Sequence, residues 1–178
     1  MTVLENAIDI AKKNKIATIV VASTTGDTAL QLFELAKSGK FKLVVVTHDG
    51  GKLPQEKRFK EDIRRLLLAN HVTVYTHNHR AILLRKILSV IFERLNLPTW
   101  HKYLRQMREE YGAGIKVCHI IVQMLIEGNI LRDERVVAIA GKKSGADSVA
   151  VFLIKPRNKR PILEKVIAPP RSGDVEWR

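Results

Sequence analysis

Residues 16–29 read IATIVVASTTGDTA, and this stretch decides the fold. Ile16–Ala22 is a short, β-branched apolar run without polar alternation, the pattern of a strand buried on both faces. It runs into Ser23-Thr24-Thr25-Gly26-Asp27-Thr28, a hydroxyl-rich turn around a glycine. Ala29–Lys37 then takes up helical spacing, with Leu32, Leu35 and Ala36 inward, and Ser38-Gly39 stops it. The unit repeats downstream. Phe41–Val46 is a second apolar strand, Thr47–Gly51 a loop, Glu56–Asn70 a charged helix with Ile63, Leu66 and Leu67 on one side, and Val72–Tyr75 a third strand. Upstream, residues 2–14 form an amphipathic helix that Thr2 can cap. This alternation implies parallel strands joined by helical crossovers.

From His79 to Glu127 the pattern is helical, in three pieces: Arg80–Leu95, Thr99–Glu110 after Pro98, and Ile115–Glu127 after Gly112 and Gly114. Arg135–Ala140 and Ser148–Ile154 are strands four and five. The seven residues Gly141–Asp147 between them are too few for a parallel crossover, so these strands pair as an antiparallel hairpin. Lys155–Arg160 is a basic turn, and Leu163–Ala168 is a candidate last edge strand. The expected fold is a three-layer α/β architecture. Its sheet is mixed, mostly parallel and five-stranded, with helices on both faces and the last strands antiparallel. One domain spans residues 1–170, followed by a basic, polar tail over 171–178 that is expected to be loosely ordered.

Composition narrows the function classes. The single cysteine, Cys118, excludes an intramolecular disulfide framework and a multi-cysteine metal site. No stretch reaches the run of about 20 apolar residues that spans a membrane, and the N-terminus lacks a signal-peptide core, so a soluble cytoplasmic protein is expected. The net charge of +13 attracts anionic partners. The basic residues are scattered and do not interleave with aromatics, which favours a small anionic ligand over nucleic acid as the partner. The wealth of Lys, Arg and Glu fits a thermophilic source.

Ligands bind beyond the carboxyl ends of strands in an open parallel sheet. That rule brings Ser23–Thr28, Thr47–Gly51, Thr76–His79 and Gly141–Asp147 to one edge. In the first loop, Ser23, Thr24, Thr25 and Thr28 supply hydroxyls, and Gly26 permits close backbone approach. With Asp27 they open a helix whose N-terminal N–H groups favour an anion. An ordinary capped strand-to-helix turn has the same composition. It is not a Walker loop, because no Gly-Lys-Ser/Thr follows at the required spacing. The last loop, Gly141-Lys142-Lys143-Ser144-Gly145, sets two lysines in a tight turn and also suits an oxyanion. Asp27 and Asp147 oppose that reading unless a cation pairs them. Thr47, His48 and His77 complete the candidate ligand-binding set. His77-Asn78-His79 with His48 makes a metal site conceivable, but it lacks carboxylate or cysteine partners at a recognised spacing, and none is assigned. His71, His101 and His119 read as surface or packing residues, and Cys118 as a buried small hydrophobe.

At these loops the sequence resembles a known family. Thr18–Ala29 is similar to the start of the pyruvate kinase C-terminal domain, and Val136–Ile154 to its final hairpin. The chain from about residue 2 to 170 resembles the free-standing archaeal and bacterial proteins called pyruvate kinase alpha/beta domain-like. The signatures are Val20-Val21-Ala22-Ser23 with Gly26-Asp27-Thr28-Ala29, Val44-Val45-Val46-Thr47-His48, Gly114-Ile115-Lys116-Val117-Cys118, and Gly141 with Ser144-Gly145-Ala146-Asp147. The resemblance implies a mixed five-stranded sheet. It also implies that the loops Ser23–Thr28 and Gly141–Ser148 correspond to those that hold the phosphates of a sugar bisphosphate in effector-regulated kinases. Kinase activity is not implied, because that active site lies in a (β/α)₈ barrel of about 200 residues or more. The relatives begin with a further strand and a Pro-Gly-x-x-Asn-Thr loop that this chain lacks, and they carry Glu where it has Ile120.

Three functions follow as expectations: a stand-alone, regulatory binding domain for a phosphorylated ligand or nucleotide such as FMN; an enzyme using Asp27, His48 or His77 on a phosphorylated metabolite; and a basic nucleic-acid binder along Arg80–Arg108. The apolar surplus of Ile82–Leu97 fits a homodimer.

Overall fold

The computed structural model describes residues 1–48, 54–77, 100–141, 145–156 and 160–168. In chain order these form α1 (Val3–Lys13), β1 (Thr18–Ala22), α2 (Asp27–Ala36), β2 (Lys42–His48), a 3₁₀ turn (Gln55–Lys57), α3 (Glu61–Ala69), β3 (Thr73–His77), α4 (Trp100–Glu127), β4 (Glu134–Ala140), β5 (Ser148–Ile154) and β6 (Ile162–Ala168). The strands make one sheet in the order β3-β2-β1-β4-β5-β6. β1 pairs in parallel with both β2 and β4, and β2 in parallel with β3. The β4–β5 and β5–β6 pairs are antiparallel. The sheet therefore has six strands, one more than expected, because the candidate edge segment pairs with β5 through two bulges. Among the described residues, no helix is long and apolar enough to cross a membrane.

The period-2 alternation of each strand divides the apolar residues between two cores. Ile19 and Val21 of β1, Leu43 and Val45 of β2, and Val137 and Ile139 of β4 face α1, α2 and α3. Val20, Val44, Val46, Val136, Ala138 and Phe152 face the opposite way, onto Ile115, Cys118, Val122 and Leu125 of α4. A sheet covered on both faces needs such uninterrupted apolar strands, which is why β1, β4 and β5 read as nearly continuous runs. α1 begins with a capping box: Glu5 N–H donates to Thr2 Oγ1 at 3.2 Å, and Thr2 N–H to Glu5 Oε2 at 2.6 Å. α4 leaves helical geometry at Gly112 (φ 88°, ψ 171°), so it consists of two helical segments, as expected from the glycines there. The expected helix Arg80–Leu95, the apolar surplus at Ile82–Leu97 and the tail 171–178 lie outside the described residues.

Three boundaries move. β2 continues through Thr47 and His48 and β3 through His77, residues read from sequence as loop. The β2–β3 ladder simply carries on, pairing Thr47 with Thr76 and His48 with His77. α3 starts at Glu61 rather than Glu56. Lys60 N–H is given to Thr25 O at 2.9 Å, which keeps the preceding backbone extended, and Glu61 and Asp62 favour a helix start at that point.

His119 is fully buried, edge-on to Tyr103 at 5.2 Å and to Phe152 at 5.5 Å. Burial, aided by the Arg160 charge, lowers its pKa from 6.5 to about 4. Cys118 is buried too, and burial raises its thiol pKa; its Sγ contacts the Ala138 carbonyl at 3.5 Å. Both are packing residues, as the sequence indicated.

The histidine makes a prediction about acid. Between pH 6.5 and 4 the unfolded chain takes up a proton that the folded chain refuses. Stability is therefore unaffected by His119 above pH 6.5 and falls by about 2–3 kcal/mol as pH drops to 4.5. Urea unfolding at pH 7.5 and 4.5 should show that loss in the wild type and a loss smaller by this amount in His119→Leu. Equal losses in the two proteins would refute it.

Candidate functional site

The parallel register brings the carboxyl ends of β1, β2, β3 and β4 to one edge, at Ala22, His48, His77 and Ala140. From β1 the chain steps outward to β2 and β3, then returns past β1 to place β4 on its other side. The strand order reverses between β1 and β4. The connection leaving β1 crosses one face through α2, α4 enters β4 from the opposite face, and β4 leaves by the hairpin to β5. Ser23–Thr28 follows β1 and Gly141–Asp147 follows β4, so both glycine loops belong to that reversal point.

The first loop is held tightly. Ser23 N–H donates to Val46 O at 3.1 Å, and the buried Ser23 Oγ accepts from Gly26 N–H at 3.2 Å and Ala29 N–H at 3.4 Å. Ser23 therefore caps α2 from below. Gly26 is the N-cap residue, in left-handed conformation at φ 102°. A Cβ there would lie 3.1 Å from Ile63 and 3.3 Å from Phe59, so glycine lets α3 close over the loop. Thr24 is exposed and Thr28 half-buried. Among the described residues, the main-chain N–H groups of Asp27 and Thr28 meet no protein acceptor, as the first turn of a helix requires.

Asp27 has partners. Its Oδ1 accepts from Lys60 Nζ at 2.6 Å and its Oδ2 from Thr25 Oγ1 at 2.8 Å. The Lys60 hydrogen bond, then that of Thr25, lowers the Asp27 pKa below the usual carboxylate value. The cation is thus Lys60 of the α3 N-cap. Arg64, one turn on, stacks over Phe59 at 5.1 Å and donates to Thr76 Oγ1 at 3.3 Å.

Thr47 lies next to Ser23, since Ala22 registers with Val46. It shares the β2 face of Leu43 and Val45, under α2 and α3. It is 3% exposed, and its hydroxyl has no hydrogen-bond partner. A buried, unsatisfied hydroxyl costs about 1–3 kcal/mol. His48 is half-buried and registers beside His77, whose side chain lies outside the described residues, as do His79 and residues 49–53. Among the described residues, no group of three or more His, Cys, Asp or Glu side chains gathers into a metal site.

The second loop joins β4 to β5, which pair in antiparallel up to Ala140 and Ser148. Asp147 N–H donates to Ala140 O at 3.1 Å, and Gly141 lies so close to the Gly145 carbonyl that no Cβ fits. Gly145 is exposed. Lys142, Lys143 and Ser144 lie outside the described residues. Asp147 Oδ1 accepts from Ser148 Oγ at 2.6 Å, and Gly114 of α4 packs directly on that pair. The second half of α4 thus begins at this edge, on the face opposite α2. A cavity of about 490 Å³ between the first half of α4 and β6, lined by Tyr103, Met107, Tyr111 and Leu163 among others, includes none of the candidate loop residues.

The structure therefore brings Ser23–Thr28 and Thr47 together beneath α3, with Gly141 and Gly145 on the neighbouring strand end. Sequence reasoning missed Lys60 and Arg64. Applying the carboxyl-edge rule to the start of the helix after β2 would have flagged them. Because Ser23 satisfies two N–H groups, Ser23→Ala should lower stability by about 1–2 kcal/mol in urea unfolding. A change under 0.3 kcal/mol would show that the cap contributes little.

One comparison with known proteins bears on this arrangement. The family model for the pyruvate kinase alpha/beta domain matches residues 1–152, from α1 into β5. The match includes β1 with its glycine turn, both ends of the strand-order reversal and the α4 segment packed on the final hairpin, and on it the chain belongs to the pyruvate kinase alpha/beta domain family.

Proposed function

We propose that this chain acts as a stand-alone binding domain, with a regulatory role, for a phosphorylated small molecule or nucleotide such as FMN. The site is the carboxyl edge around the end of β1, flanked by the ends of β2 and β4, and pyruvate kinase chemistry is not part of the role. The observation that carries this reading is Thr47. A buried hydroxyl without a partner sits at the carboxyl end of β2, next to Ser23 and beside the N-terminus of α2, whose first N–H groups lack acceptors among the described residues. Buried polar groups are ordinarily satisfied, so an orphan here points to a bound group that completes it. The net charge of +13 supports an anion, and so does the likeness of the two loops to those that hold phosphates in effector-regulated kinases.

Binding is favoured over catalysis by Asp27. A carboxylate held ionised by Lys60 and Thr25 is a weak base, and catalysis would need it close to His48 or His77. Cytoplasmic location and self-association through residues 82–97 belong to the same proposal.

Thermal unfolding at low salt against phosphorylated metabolites, FMN and nucleotides included, tests the reading. A true ligand at about 100 times its Kd stabilises by about 2.7 kcal/mol. Thr47→Val should raise the stability of the free protein by about 1 kcal/mol, by removing the orphan hydroxyl, and weaken the ligand's effect. A panel without any shift would sink the proposal.

A further inference from the structure

Asp27 is the feature that a simple phosphate loop does not explain. Both of its oxygens are engaged, one by Lys60 Nζ at 2.6 Å and one by Thr25 Oγ1 at 2.8 Å. These are the two side-chain donors that an oxyanion at the start of α2 would use. Thr25 is in the loop itself, and Lys60 is tied to it through its own N–H, which donates to Thr25 O at 2.9 Å. The contact is open to solvent: the Asp27 side chain is 51% exposed and that of Lys60 50%. An ion pair that exposed is weak enough to exchange. On the adjacent strand, next to Ser23, the Thr47 hydroxyl is buried and without a partner, which marks the place as incomplete independently of the helix end.

We infer that Asp27 is a specificity-determining residue of this site, a built-in anion that occupies Lys60 and Thr25 and makes the loop reject bare phosphate and sulfate. A free oxyanion must displace the carboxylate and then lie beside it, like charge against like charge. A larger phosphorylated molecule meets the same obstacle but adds contacts elsewhere along the edge, which outweigh it. The inference rests on the binding role proposed above and adds the class of anion excluded.

Calorimetric titration of the full chain with inorganic phosphate at low ionic strength tests it. Wild type, Asp27→Asn, Asp27→Ser and the double variant Asp27→Asn/Lys60→Met are compared. Asp27→Asn and Asp27→Ser should bind phosphate at least tenfold more tightly than wild type, and Lys60→Met should abolish that gain. Phosphate binding by the single variants no tighter than wild type, or a gain that survives Lys60→Met, overturns the inference. If wild type responds to the phosphorylated panel while neither single variant gains phosphate affinity, the inference alone falls. If wild type ignores the panel and no variant takes up phosphate, the binding role falls with it.

Discussion

Everything at the candidate site depends on β1 being paired in parallel on both sides. Its five residues are flanked by β2 and β4, and its apolar side chains are divided between two cores. A strand so placed cannot be left by a hairpin. The chain must exit at the carboxyl edge and cross a face of the sheet, which fixes α2 above Ser23–Gly26. The return to β4 brings the second glycine loop alongside. The two loops follow neighbouring strand ends because β1 and β4 pair in parallel, and neither sequence segment dictates that on its own.

Within this frame the polar groups divide into structural and available ones. Ser23 is consumed by the cap of α2, and Asp147 by Ser148 in the hairpin. Asp27 is held by an exposed clasp from α3, which also covers Gly26 with Phe59 and Ile63. Thr47 is different: it is as buried as Ser23 but lacks a partner. The loop resembles a helix-capping turn in composition and is one in geometry. The orphan hydroxyl beside it distinguishes the place from an ordinary turn.

Much of the fold was legible because buried parallel strands leave a plain trace. The β-branched runs at Ile19–Val21, Val44–Val46 and Val136–Ile139 need no context to be recognised. Legibility failed where hydrogen bonding across strands, rather than hydropathy, sets the boundary. Thr47, His48 and His77 are polar, so they read as loop, yet the β2–β3 ladder retains them. The residues before Glu61 favour helix by propensity, but the bond from Lys60 N–H to Thr25 O overrides it. The glycine loops, including Gly26 and Gly141, could be placed from topology. The partner of Asp27 could not, since Lys60 lies 33 positions away and meets it only after α3 docks.

The central claim is that the carboxyl edge around the end of β1, flanked by β2 and β4, holds a phosphorylated ligand. A high-resolution crystal structure of protein purified from cells without added ligand tests it most directly. The account predicts phosphorus-containing density against the main-chain N–H groups of Asp27 and Thr28, with Thr47 Oγ1 hydrogen-bonded to the bound group or to a water it orders. Density of that kind in the α4–β6 cavity instead, or an empty edge with Thr47 Oγ1 satisfied by the protein itself, would contradict it.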